Sequence, residues 1–464
     1  MPERSDRSRP RCALAYDSTT EPPNRTTQRS HPTEPPNGAA HGNRTCEQES
    51  DMSNEPVGSL WLRRGRLRDG SLVDIRVVDG RVAAVEPVSN DRVGSSLDGW
   101  LVLPALGEPH AHLDKALTAE RVPNPSGDLM GAIEAWVAAE ERGEFGLEEM
   151  TARAIAAIRK LVANGVTTIR THVNVGESDP QHVHLRAVRA ARDATRHLAD
   201  VQIVALMHSP LAGAHGAGNR RALREALSMG VDLVGGCPHL EADGAGMIRE
   251  ALSAANEAGV GMDLHVDETL DPNMLTLVEL ARRVAETGFS RPVTASHCVS
   301  LSVQPIEAQH EIARMVSDAG IAVVPLPPTN LFLQGREQPR SMPRGIAPID
   351  VLRESGVSVA LGGDNVQDPF NPVGRSDPLE TASLAVMAAH QLPDAAYDLV
   401  SNGVRRVLGH DAVDTVVGAP ADFLVIDAAS VREAIADAPL DRRVFKGGRE
   451  VVVTTTTRRF HDDP

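Results

Sequence analysis

The stretch PALGEPHAHLDKALTAE, residues 104–120, closes an apolar run with His110 and His112, two positions apart, and Asp114 and Lys115 follow at once. Side chains alternate along a strand, so positions i and i+2 share a face, and two imidazoles at that spacing can bind one cation. An isolated His-x-His pair is also compatible with a structural role. Its meaning depends on what the rest of the chain places beside it.

Outward from this stretch, apolar runs recur at 100–106, 166–175, 201–207, 231–236, 261–266, 293–298, 320–326 and 357–362. Segments with helical periodicity separate them, such as MTARAIAAIRKLVANG and NRRALREALSMG. Eight strand–helix units predict an α/β fold, a (β/α)8 TIM barrel over residues 104–417. An open doubly wound sheet would have fewer repeats and a Gly-rich phosphate turn, and no such turn is present. Residues 56–103 and 418–456 carry short β-rich runs broken by Gly and Asp, which predict a small β-sandwich-like domain built from both chain ends. Residues 1–55 are polar and aperiodic, so a disordered extension is expected there, with structured patterning beginning at Met52.

In such a barrel the chemistry belongs at the C-terminal strand ends. Seven of the 17 histidines fall at or beside those ends: His110, His112, His172, His208, His239, His265 and His297. Glu241, Asp267, Glu268, Asp364 and Asn365 join them. These residue types hold a borderline divalent metal and leave a position open for water. The other histidines, His182 and His184 among them, read as ordinary core or surface residues.

Composition narrows the partners. A formal net charge of −16 argues against nucleic acid or an anionic membrane surface. No window is apolar enough for a membrane span. Cys12, Cys46, Cys237 and Cys298 lack any CxxC spacing, which suits a reducing, cytoplasmic compartment.

The motifs EPHAHLDK, RTHVN, PHLEAD, HVDE, SHC, NLFLQGR, GGDNVQDPFNPVG and VGAPADFLVID together resemble the amidohydrolase superfamily, and within it the cytosine deaminase-like group, over about residues 56–455. The resemblance implies one divalent transition metal, Zn2+ or Fe2+, held by His110, His112, His265 and Asp364. Binuclear relatives add a carbamylated lysine on a middle strand. Lys115, Lys160 and Lys446 are the only lysines, and none is placed for that role, so a mononuclear site is expected.

The resemblance also implies roles. A metal-activated hydroxide would attack the substrate carbon. Glu268 would shuttle a proton to a ring nitrogen, His297 would hydrogen-bond the hydroxide or the developing oxyanion, and Asp364 would both bind metal and accept a proton. Candidate substrate contacts are His208, Asn365, Phe370, Lys115 and His172, with packing an equal reading for Lys115. His208 aligns with a glutamine that reads the pyrimidine edge in cytosine deaminases, Asn365 with an aspartate and Phe370 with a tryptophan. A histidine cannot copy glutamine's paired donor and acceptor, so cytosine itself is not the expected substrate. Phe370, Phe332 and Leu333 suggest a flat, partly apolar ligand. The expected reaction is hydrolysis of a C–N bond, deaminating a small nitrogen heterocycle. An N-alkylamine-releasing or cyclic-amide hydrolase is the alternative, a non-catalytic binding module the remote one. Relatives self-associate, so a homo-oligomer is expected.

Overall fold

A computed structural model describes residues 59–461, so the expectation for residues 1–55 and Met52 lies outside the described residues. The chain opens with β1 (Leu60–Arg66), β2 (Leu72–Val78), β3 (Arg81–Pro87), the short β4 (Ser95–Ser96) and β5 (Leu101–Pro104). A parallel set follows: β6 (Leu106–Ala111), β7 (Val166–Val175), β8 (Asp200–Met207), β9 (Leu233–Gly235), β10 (Gly261–Val266), β11 (Val293–His297) and β12 (Ile321–Val324). The chain returns to antiparallel pairing in β13 (Phe423–Ile426), β14 (Arg442–Lys446) and β15 (Arg449–Thr454).

The two chain ends do build one sheet, in the order β15-β14-β13-β5-β1-β2-β3 with β4 against β1. The join is β5 against β13, with Leu101 opposite Ile426 and Leu103 opposite Leu424. Two-residue turns fix its hairpins: Asp79 and Gly80 at φ 49° and 76°, and Gly447 and Gly448 at φ 56° and 75°. Two successive positive φ values match the right-handed twist of the flanking strands, which explains Asp-Gly and Gly-Gly there. Leu62, Ile75, Val77, Phe423 and Phe445 form a core of this sheet's own.

The second sheet runs β12-β11-β10-β9-β8-β7-β6 with every pairing parallel. Helices cover its strands, so both strand faces are buried and the strands read as continuous apolar runs; all ten residues of β7 are buried. The run at 100–106 proves to be two elements. Residues Leu101–Pro104 pair in the end sheet, and the first barrel strand begins at Leu106. Two consecutive buried strands give one unbroken apolar signal, which periodicity cannot divide.

The eighth segment closes the barrel without a full ladder. It makes two parallel bridges, Val359 to Val323 and Asp364 to Ala111. Beside them the Glu108 carboxylate accepts from the Gly363 amide at 3.0 Å and the His110 amide at 3.2 Å. A Cβ on Gly362 would lie 2.7 Å from Glu108 Oε1, so the glycine makes room for this clasp.

Between β6 and the helix α2 (Leu147–Ala163) the chain inserts an additional helix, α1 (Leu129–Glu141), whose N-terminus is capped by Asp128 accepting from Gly131. The crossover after β7 is α3 (Val183–Thr195). No helix among the described residues is long and apolar enough to cross a membrane.

Candidate active site

Strand alternation aims His110 and His112 into the barrel mouth from β6, and His265 reaches the same point from β10. Asp364 arrives from the turn after the eighth segment, where its φ of 66° bends the chain sharply. His297, at the end of β11, is likewise left-handed at φ 70°. Non-glycine residues held in this region cost roughly 1–3 kcal/mol each and persist where the surroundings over-determine them.

The expected ligand atoms lie close together: those of His110, His112 and His265 form one group that could hold an ion, with Asp364 beside His110 and His112. His110 Nε2 lies 3.1 Å from His265 Nε2, His265 Nε2 lies 3.2 Å from His112 Nε2, and Asp364 Oδ1 lies 3.2 Å from His112 Nε2 and 3.8 Å from His110 Nε2. Ligands about 2.0–2.1 Å from a tetrahedral cation stand roughly 3.3 Å from one another, so this spacing fits one cation. Asp364 Oδ1 is buried and has no hydrogen-bond partner. Burial pushes His110 and His265 well below the ordinary imidazole pKa, which leaves neutral rings with a lone pair to give.

The surroundings fix one tautomer. Ser296 Oγ donates to Asp263 Oδ1 at 2.9 Å and so accepts from His110 Nδ1 at 2.8 Å. The His110 proton therefore sits on Nδ1, and Nε2 faces the cluster unprotonated. Arg170 Nη1 anchors the far oxygen of Asp263 at 2.8 Å.

Glu268 and His297 stand beside the four ligands. Asn330 Nδ2 lies 3.1 Å from His297 Nδ1 and 3.5 Å from Glu268 Oε1. An amide nitrogen aimed at a carboxylate is a donor, so His297 Nδ1 accepts and the proton belongs on Nε2, a buried atom without a partner. Burial lowers the His297 pKa to about 4, which keeps the ring neutral. Burial, and then the charge of Asp364, raises Glu268 well above the usual carboxylate range. A glutamate so placed holds a proton readily near neutral pH and can return it.

A cavity of about 420 Å³ opens over this group. Of the expected contacts, Lys115, His208, Asn365 and Phe370 line it, together with His112, His265, Glu268, His297 and Asp364. Leu129, Ile133, Trp136 and Val137 of α1 add an apolar wall. His172 does not line it. β7 continues to Val175, so His172 lies one layer deeper in the barrel, stacked on His110 with ring centroids 3.9 Å apart. Asn174, two residues on, takes the place expected of it. Phe332 and Leu333 also lie outside the lining; the Phe332 ring instead carries the Arg336 guanidinium 4.5 Å from its centroid.

Sequence reasoning missed a polar network here. Lys115 Nζ donates to Asn174 Oδ1 at 2.7 Å and stands 3.4 Å from Asp114. His184 bridges Asp114 Oδ2 at 3.0 Å and Glu140 Oε1 at 3.2 Å, and Trp136 Nε1 donates to the same Glu140 oxygen at 2.6 Å. Although burial opposes it, Lys115 and His184 hold Asp114 far below the usual carboxylate range. His184 thus joins the barrel to α1. His239 donates from Nδ1 to the His265 carbonyl at 3.1 Å, behind the ligands.

A parallel barrel with a buried His3Asp cluster at its strand ends and an acid poised beside it defines a metal-dependent hydrolase. The chain belongs to the amidohydrolase family, which it matches over residues 144–454, and is cytosine deaminase-like. It is 31% identical to a pterin deaminase of Rhizobium rhizogenes over 82% of this chain and 87% of that protein. It is 27% identical to an N-isopropylammelide isopropyl amidohydrolase of Pseudomonas sp., covering 85% of this chain and 97% of the relative. Among solved structures, a 5-methylcytosine deaminase from Klebsiella pneumoniae liganded with 5-fluorocytosine superposes with a TM-score of 0.78 at 27% identity, over 87% of this chain and 99% of that one. The protein is accordingly a hydrolase of C–N bonds other than peptide bonds.

Proposed function

We propose that the protein hydrolytically deaminates an aminopyrimidine ring fused in a bicycle of the pterin kind, using one Zn2+ or Fe2+ held by His110, His112, His265 and Asp364. The observation that carries this reading is Glu268, buried in the cavity next to the expected ligand atoms and paired through Asn330 with His297. The cation, when bound, would lower the pKa of a water to near neutrality.

The chain's own residues then handle protons. Glu268 takes one from the attacking water and delivers it to the ring nitrogen beside the amine-bearing carbon. His297 Nε2–H donates to the oxygen that gains charge there. As the C–O bond forms and the C–N bond breaks, Glu268 and Asp364 pass the remaining proton to the departing nitrogen, which leaves as ammonia. Asn365 and Phe370 orient the ring, and Asn365 is itself held by Asp368 Oδ2 at 2.8 Å. Lys115 supplies a positive charge at the cavity wall. His208, with Ser178 Oγ 3.3 Å from its Nδ1, offers the substrate edge a single ring nitrogen, which disfavours cytosine.

The test is ammonia release by metal-loaded protein from pterin, cytosine and aminotriazines. Absence of ammonia from pterin and from its 6-substituted derivatives alike would overturn the reading. One observation favours a second: the apolar α1 wall suits an alkyl substituent, and one relative is an isopropyl amidohydrolase, so isopropylamine release is the outcome that would select it. We also assign a homo-oligomeric state, a cytoplasmic location and no nucleic-acid partner, which light scattering, fractionation and a gel-shift assay would check.

A further inference from the structure

A second cavity of about 330 Å³ adjoins the first, and Val137, Glu140, Asn174 and His208 line both. It therefore opens off the catalytic cavity at His208, away from the metal ligands. Its remaining walls come from three segments. Glu141 and Phe145 stand at the end of α1 and just beyond, Ser178 and Asp179 in the loop after β7, and Val183 and His184 at the start of α3.

The threshold between the cavities is built. A Cβ on Gly176 would lie 2.6 Å from the His208 ring, so only glycine lets that ring lie against the end of β7. Phe145 stacks on Trp136 with centroids 4.5 Å apart, which gives the second cavity a rigid apolar side.

Three carboxylates stand among its polar groups, beside Asn174, Ser178, His184 and His208. Glu140, Glu141 and Asp179 line it, and no lysine or arginine does. Trp136, Asn174 and His184 all meet Glu140 at Oε1, which leaves Oε2 able to accept from something else. A negatively charged group entering here would meet three carboxylates and no lysine or arginine in the lining, Lys115 being bonded to Asn174 on the catalytic side, whereas hydroxyls or an ammonium would find acceptors.

We propose that this cavity is a subsite for a side arm on the heterocyclic substrate: a short chain carrying several hydrogen-bond donors and no negative charge, such as a polyhydroxyalkyl group. The proposal rests on the deaminase reading above and adds what the ring must carry. The arm lies past His208, its hydroxyls donating to Glu140 Oε2, Glu141 and Asp179, while the ring stays over the metal ligands.

The experiment compares ammonia release from pterin, 6-(1,2,3-trihydroxypropyl)pterin and pterin-6-carboxylate by the metal-loaded full chain. The added hydrogen bonds predict a gain of about tenfold in kcat/KM for the trihydroxypropyl compound over pterin, and a loss for the carboxylate. Glu141→Lys, at an exposed position where refolding is not at issue, is expected to shrink the ratio of the trihydroxypropyl to the carboxylate substrate by about tenfold. Equal kcat/KM for pterin and the trihydroxypropyl compound would overturn the subsite while leaving deamination standing. So would a ratio that Glu141→Lys does not move. Ammonia from none of the three would overturn the deaminase reading and the subsite with it.

Discussion

Ser296 Oγ stands 2.8 Å from His110 Nδ1, across 186 residues of sequence, and donates its own hydrogen bond to Asp263 Oδ1. The hydroxyl thereby sets which nitrogen of a metal-binding ring is bare. Ser296→Ala is expected to leave the fold intact and weaken metal affinity by about 10–100-fold, the range for such supporting groups. Competition with a chelator of known affinity would read it, and unchanged affinity would remove Ser296 from the site's design.

One cation per chain is the expectation for the group of His110, His112, His265 and Asp364. Elemental analysis is expected to give a stoichiometry near one, falling to near zero in Asp364→Ala and His265→Ala. Lys115 is engaged by Asn174, Lys446 pairs with Asp200, and Lys160 lies on α2. Lys115 alone reaches the cavity, and its ammonium is taken up by Asn174 and Asp114, so a value near two would contradict the assignment.

Glu268→Gln keeps size and hydrogen-bonding capacity and removes the titratable proton. Turnover is expected to fall by about 10²–10⁴-fold with metal content and substrate affinity retained. Near-normal turnover would transfer the proton work to Asp364. Loss of metal would mean that Glu268 is itself a ligand.

Cys237 lines the catalytic cavity, yet burial, and then the charge of Glu268, pushes its thiol up to about 12. Only the thiolate alkylates, and near pH 8 such a thiol is ionised roughly 10³-fold less than an ordinary cysteine of pKa about 8.5. Iodoacetamide labelling followed by peptide mass spectrometry should show Cys237 unmodified when a free thiol added at the same pH is consumed, with its rate still climbing above pH 10. Rapid labelling at pH 8 would show that the pocket does not suppress ionisation.

Much of the fold was legible because parallel strands buried on both faces announce themselves as apolar runs and the barrel's polar residues gather at their ends. His112, His265, Glu268 and Asp364 could be named for that reason. Depth could not be read: His172 and Asn174 sit on one face of β7, and only the true end of the strand shows which of them reaches the cavity. Glu140, His184 and Asn330 were invisible for another reason. All three come from helices, where a polar residue looks like solvent-facing decoration until tertiary packing brings it inward. Nor does the apolar content of α1 distinguish a helix that walls a substrate cavity from one that merely packs on the barrel.

The clasp of Glu108 on the Gly363 amide has a mechanical consequence. Seven strands are laced edge to edge, but the eighth segment meets β6 through one bridge, Asp364 to Ala111, and the Glu108 carboxylate, at the joint between His110 and His112 on one side and the turn that gives Asp364 on the other. A laced edge resists sliding along its whole length; this joint resists it at a few points, with Leu117 and Ala119 bonding Val366 and Gln367 just beyond. A cation held by His110, His112 and Asp364 would tie the two sides of that joint together, so that filling the centre and stiffening the scaffold would be one event.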